Sequence, residues 1–105
     1  MKNNLYLYKA RVVRVVSGDA LWLDIDLGLR IVKRERIRLT GITAPRPPSS
    51  KADECKTALE ALCGDIVFVH TNAEGSYGRW TGVLYTTDET EINATLVERG
   101  LATVR

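Results

Sequence analysis

From Leu21 to Leu27 every second residue is apolar: Leu21, Leu23, Ile25 and Leu27 alternate with Trp22, Asp24 and Asp26. Strict alternation sends successive side chains to opposite faces of an extended chain, whereas a helix would scatter the same residues around its axis. This stretch is therefore read as a strand with its aliphatic face buried and with Trp22 and the two aspartates on the other face. Strands of similar pattern flank it. Lys9 to Val16 interleaves β-branched residues with Arg11 and Arg14 until Ser17-Gly18-Asp19 breaks the run, and in Ile31 to Thr40 the pair Ile37 and Leu39 lies opposite Arg36 and Arg38. Three consecutive strands with short turns make a meander.

Pro45-Arg46-Pro47-Pro48-Ser49-Ser50 follows as a stiff loop, because proline fixes its own backbone and disfavours helix in the residue before it. A helix over residues 51–63 comes next, with Ser50 as its expected cap and Asp53 three residues on. Its apolar stripe is Ala52, Cys55, Leu59, Leu62 and Cys63, and Gly64 ends it. Ile66 to His70 and Trp80 to Thr86 read as two further strands, and Ile92 to Arg99 as a short helix stopped by Gly100. Five strands with a helix after the third predict a mainly β (α+β) fold, a five-stranded OB-type Greek-key barrel with two short helices. The groove of such a barrel commonly binds nucleic acids or sugars. A length of 105 residues fits one domain, 1–105.

The two cysteines, Cys55 and Cys63, both fall in the first helix. Eight helical residues rise about 12 Å, beyond the roughly 7 Å limit for a disulfide, so free buried thiols and a reducing compartment are expected. No apolar run approaches the roughly 20 residues of a membrane helix, and no secretory layout opens the sequence. The expected location is cytoplasmic. Asn93-Ala94-Thr95 matches a glycosylation triplet but sits inside a predicted helix, where the match is read as chance. The net charge of +2 conceals an asymmetry: Arg30 to Lys51 holds seven basic residues and one acid, Glu35. Such a concentration favours an anionic partner.

Four ordered stretches resemble the staphylococcal nuclease, or thermonuclease-like, family. Ser17-Gly18-Asp19-Ala20 is similar to its Asp-Gly-Asp-Thr turn, and Arg38-Leu39-Thr40-Gly41-Ile42-Thr43-Ala44-Pro45-Arg46 to its Arg-Leu-x-Gly-Ile-Asp-Ala-Pro-Glu signature. Tyr77-Gly78-Arg79 matches its Tyr-Gly-Arg. Ile92 to Val104 resembles its Val-Asn-x-x-Leu-Val-x-x-Gly-Leu-Ala-x-Val end. The resemblance implies a nuclease that hydrolyses DNA and RNA phosphodiesters with Ca²⁺. Asp19 would then be a metal ligand, and Arg38 and Arg79 would hold the reacting phosphate. A guanidinium meets the charge of a pentacoordinate phosphoryl group with paired hydrogen bonds, and calcium asks for several hard oxygens.

Two acidic positions of the signature are lost. The second metal-binding aspartate falls on Thr43 and the water-activating glutamate on Arg46, although Ala44 still offers a backbone carbonyl. Arginine stays protonated and cannot act as a base, and losing a positioned base forfeits about 10²- to 10⁴-fold in rate. The expectation is a protein that binds single-stranded DNA or RNA, with Arg46 and Tyr77 as further substrate contacts, and with calcium binding and hydrolysis weak or absent. An active Ca²⁺-dependent nuclease and a protein-interaction module are the alternatives. Asp24, Asp26, Glu35, Asp53 and Glu54 are the acids near enough in sequence to substitute for the lost pair. Trp22, Trp80 and His70 receive no function, the tryptophans being read as cover on the outer barrel. The family also continues into a third, long helix, so the barrel is expected to be less stable alone or to pack against a partner.

Overall fold

The computed structural model describes residues 6–73 and 80–104. Tyr77 and Arg79 lie outside the described residues. The elements run β1 (Leu7–Ser17), β2 (Ala20–Asp26), β3 (Val32–Leu39), β4 (Ile42–Thr43), α1 (Ser50–Cys63), β5 (Ile66–Ala73), β6 (Trp80–Tyr85), α2 (Ile92–Glu98) and β7 (Thr103–Val104). Five strands close into a barrel in the order β1-β2-β3-β6-β5, with β5 returning to pair with β1. All pairings are antiparallel except β3 with β6, which run parallel through Ile37–Trp80, Arg38–Thr81 and Leu39–Gly82. This is the OB-type barrel expected from the strand order.

The barrel forms because each strand has one apolar face. Leu21, Leu23, Ile37, Leu39, Val67, Val69 and Leu84 are fully buried, and full burial of such a side chain stabilises by about 1.5–3 kcal/mol. Leu27 departs from the expected buried face: it is 42% exposed because β2 ends at Asp26, where Asp26 Oδ1 accepts a 2.8 Å bond from Gly28 N and opens the turn. The helix α1 seals one end of the barrel with Ala52, Cys55, Leu59 and Cys63. Its cap is Ser49 and not Ser50: the Ser49 hydroxyl accepts from Ala52 N at 3.0 Å, with Ser49 in an extended conformation. Either serine suits the position chemically, and the proline loop decides which one still has extended backbone. Both cysteines are free and buried, as expected.

Two elements escaped the pattern reading. β4 and β7 contain two residues each, too few to show a period, and pair through Ile42–Val104 and Thr43–Thr103. Asn93 joins this region to the barrel. Its side-chain oxygen accepts from Leu84 N at 3.1 Å, and its amide donates to Thr40 O at 3.0 Å and Gly82 O at 3.3 Å. At 4% exposure it is a structural clasp and no glycan acceptor. Among the described residues no helix is long and apolar enough to cross a membrane.

Candidate functional site

A groove of about 540 Å³ opens where the β1–β2 turn, β3 and the segment after β4 meet. Asp19, Arg38, Thr43, Ala44 and Arg46 all line it, so the positions singled out in separate stretches of sequence share one site. Their placement follows from local structure. Gly18 must be glycine, because a Cβ there would lie 2.4 Å from Cys55 Sγ and 2.8 Å from Ala44 Cβ. That close approach lets the turn seat against α1 and brings Asp19 up to β4. The backbone carbonyl of Asp19 then accepts from Leu39 N at 2.8 Å. Its carboxylate accepts from Ser17 Oγ at 3.0 Å and from Ala44 N at 3.2 Å.

Arg38 is held by β-pairing on both sides, opposite Ala20 of β2 and Thr81 of β6. It lies on the face opposite Ile37 and Leu39, which anchor the strand in the core at 0% exposure. Arg36, two residues earlier on that same face, also lines the groove. Arg46 reaches it from the proline loop and is exposed. Among the described residues none of these three guanidiniums forms an ion pair. Three guanidiniums lining one cleft, with no carboxylate bound to them among the described residues, give it a positive potential suited to planar, bidentate contact with phosphate oxygens.

Trp80 and Arg36 line the groove without having been singled out as site residues by the pattern, and Glu35 was named only as one of several substitute acids. Trp80, 38% exposed, was read as outer cover, yet it lines the groove because the parallel β3–β6 pairing sets it beside Ile37. Glu35 is the groove's second carboxylate, and it lies 3.2 Å from Lys33 Nζ. The other acids considered lie elsewhere. Asp24 is held in a two-pronged contact by Arg34, at 2.7 Å and 3.1 Å, and that hydrogen bond keeps its carboxyl below the ordinary value. Asp26 serves its turn, and Asp53 is in the first turn of α1. His70 stands on β5 with its Nε2 buried and unpartnered, away from the groove lining.

The donor set does not fit a calcium ion. Asp19 contributes one carboxylate, Thr43 supplies none, and the groove's other described carboxylate, Glu35, lies against Lys33. Among the described residues no group of three or more acidic, histidine or cysteine side chains could hold a metal. Calcium takes about six to eight oxygens, usually with more than one carboxylate.

The burial of the thiols bears on reactivity. Burial pushes Cys63 up to about 12, and Cys55 is raised by burial and by the negative charge of Asp19. Neither is a nucleophile near neutrality.

With this geometry established, comparison with known families gives one result: the model for the staphylococcal nuclease homologue family matches residues 36–105. No curated protein matches the chain. The matched span contains the second half of β3 with Arg36 and Arg38, the loop with Arg46, both helices and strands β4 to β7.

Proposed function

The chain belongs to the staphylococcal nuclease homologue family, and on that premise we propose that it grips the phosphates of single-stranded DNA or RNA while hydrolysing them slowly or not at all. One observation carries the reading. Among the described residues Arg36, Arg38 and Arg46 face a common groove without ion-pair partners, whereas the carboxylates there are reduced to Asp19 and Glu35. The site keeps the means to bind the substrate's charge and lacks the means to activate water at the phosphorus. Arg79 and Tyr77 extend this reading by resemblance: Arg79 as a further phosphate contact, Tyr77 as a further contact to the substrate. Calcium dependence belongs to the family in general, and in this chain it is proposed to be weak or absent.

The salt dependence of binding tests the proposal. Affinity for a labelled single strand should fall as salt rises, and Arg38→Ala or Arg46→Ala should each lower the slope of log affinity against log salt by about 0.7. Unchanged slopes and affinities in both variants would remove the groove from nucleic-acid binding and leave a protein-interaction role. A working nuclease is the second reading, and Glu35 favours it as the one carboxylate among the described residues that shares the groove with Asp19. On that reading the parent cleaves and Glu35→Gln does not.

A further inference from the structure

The outer face of the β1-β2-β3 meander carries two transverse rows of side chains whose contrast points beyond the groove. In the first row Arg11, Asp24 and Arg34 are opposite one another across the three strands. In the second, Arg14, Trp22 and Arg36 are opposite one another. Directly opposed residues share a face with their Cβ atoms about 4.5–5.5 Å apart, so Trp22 sits between two arginines. The first row holds an acid that neutralises one of its two arginines: Asp24 takes Arg34 in a two-pronged contact, and Arg11 adds to its field. The second has no acid. Among the described residues neither Arg14 nor Arg36 forms an ion pair, and both are exposed.

Trp22 belongs to the outer face because Leu21 and Leu23, its neighbours, are both 0% exposed, yet it remains partly open to solvent. A large aromatic plane between two unpaired guanidiniums is the combination single-stranded nucleic acid uses: a base stacks on the ring while the backbone on either side meets a cation. The row is also continuous with the groove. Arg36 belongs to both, and Arg38 follows two residues along the same face of β3, about 6.8 Å away at strand rise.

We infer that the Arg14–Trp22–Arg36 row is a second contact surface for single-stranded nucleic acid, receiving a base on Trp22 as the strand leaves the groove over Arg36. This rests on the groove reading for the strand's path, but the row can be tested apart from it. It also commits to length: a strand of about eight nucleotides, within the range one OB fold covers, engages groove and row together, while a thymidine dinucleotide fills the groove alone.

The experiment measures binding of oligothymidylate of about eight nucleotides and of the dinucleotide to the parent, Trp22→Leu, Trp22→Phe, Arg14→Ala and Arg38→Ala, each checked for an intact thermal transition. Trp22→Leu should weaken the longer strand about tenfold or more and leave the dinucleotide unchanged, with Trp22→Phe recovering much of the loss. Arg14→Ala should weaken the longer strand and lower its salt slope by about 0.7. Should Trp22→Leu fail to fold, Arg14→Ala, read as both affinity and salt slope for the longer strand, carries the test. Longer-strand binding unaltered by the Trp22 and Arg14 changes overturns the inference, even where Arg38→Ala abolishes both ligands and upholds the groove. Loss in the Trp22 and Arg14 variants with Arg38→Ala silent would keep the row and sink the groove.

Discussion

Asn93 ties α2 to the barrel. It bonds a donor on β6 and two carbonyls, one at the end of β3 and one on β6, from a position 4% exposed. Replacing it removes the side-chain partners of Leu84 N and Thr40 O, while Gly82 O keeps its 2.9 Å bond from Thr40 N. Asn93→Ala is therefore expected to cost about 2–4 kcal/mol, read as a drop in urea midpoint with no change in slope. Cys63 makes a second residue-scale prediction. Its thiol is held neutral up to about 12 in the fold against an ordinary 9.0. Between those values the folded chain keeps a proton that the unfolded chain releases, so the fold is favoured below 9.0 and loses that advantage as pH rises toward 12. The stability of the parent should thus fall more steeply across this window than that of Cys63→Ala. Parallel pH curves for the two proteins would show that burial does not control this thiol.

At the scale of elements, the β2–β3 turn is the clearest case of local sequence opposed to local structure. Leu29 and Arg30 both adopt positive φ, 55° and 62°, and Ile31 N donates to Gly28 O at 2.8 Å across them. Side chains bearing Cβ resist this conformation by about 1–2 kcal/mol each, and the turn type prefers Asn-Gly. The double change Leu29→Asn with Arg30→Gly should raise stability by about 1 kcal/mol, measured by denaturant titration. A loss would mean the exposed Leu29 packs better than its 93% exposure implies. The strands themselves were legible in sequence because burial alternates along them, and α1 because its cysteines and leucines repeat at helical spacing. The cap at Ser49, the β4–β7 pair and the groove position of Trp80 were not. The first depends on where a proline loop releases the chain, and the other two on pairings between residues distant in sequence.

For the whole molecule, the fold gathers in one groove what the sequence spreads from Asp19 to Arg46, and the basic excess between Arg30 and Lys51 becomes a localised field along β3 and the proline loop. Asp19, Arg38, Thr43 and Arg46, which share the groove, were visible in the motifs. Glu35 was one of five acids considered, and only the closed barrel separates it from the other four as a groove residue. On the proposed reading the site is disarmed at Thr43 and Arg46, both of which line the groove. Restoring both carboxylates should therefore restore chemistry, while either alone should not, because metal retention and water activation depend on each other. The most direct measurement is the initial rate of cleavage of a labelled single strand, with Ca²⁺ and with chelator, by the parent and by Thr43→Asp with Arg46→Glu. The account predicts a parent at the level of the chelated control and a double variant well above it, dependent on calcium. A parent that already cleaves in calcium at the rate of the double variant, or a folded, calcium-binding double variant no faster than the parent, would contradict it.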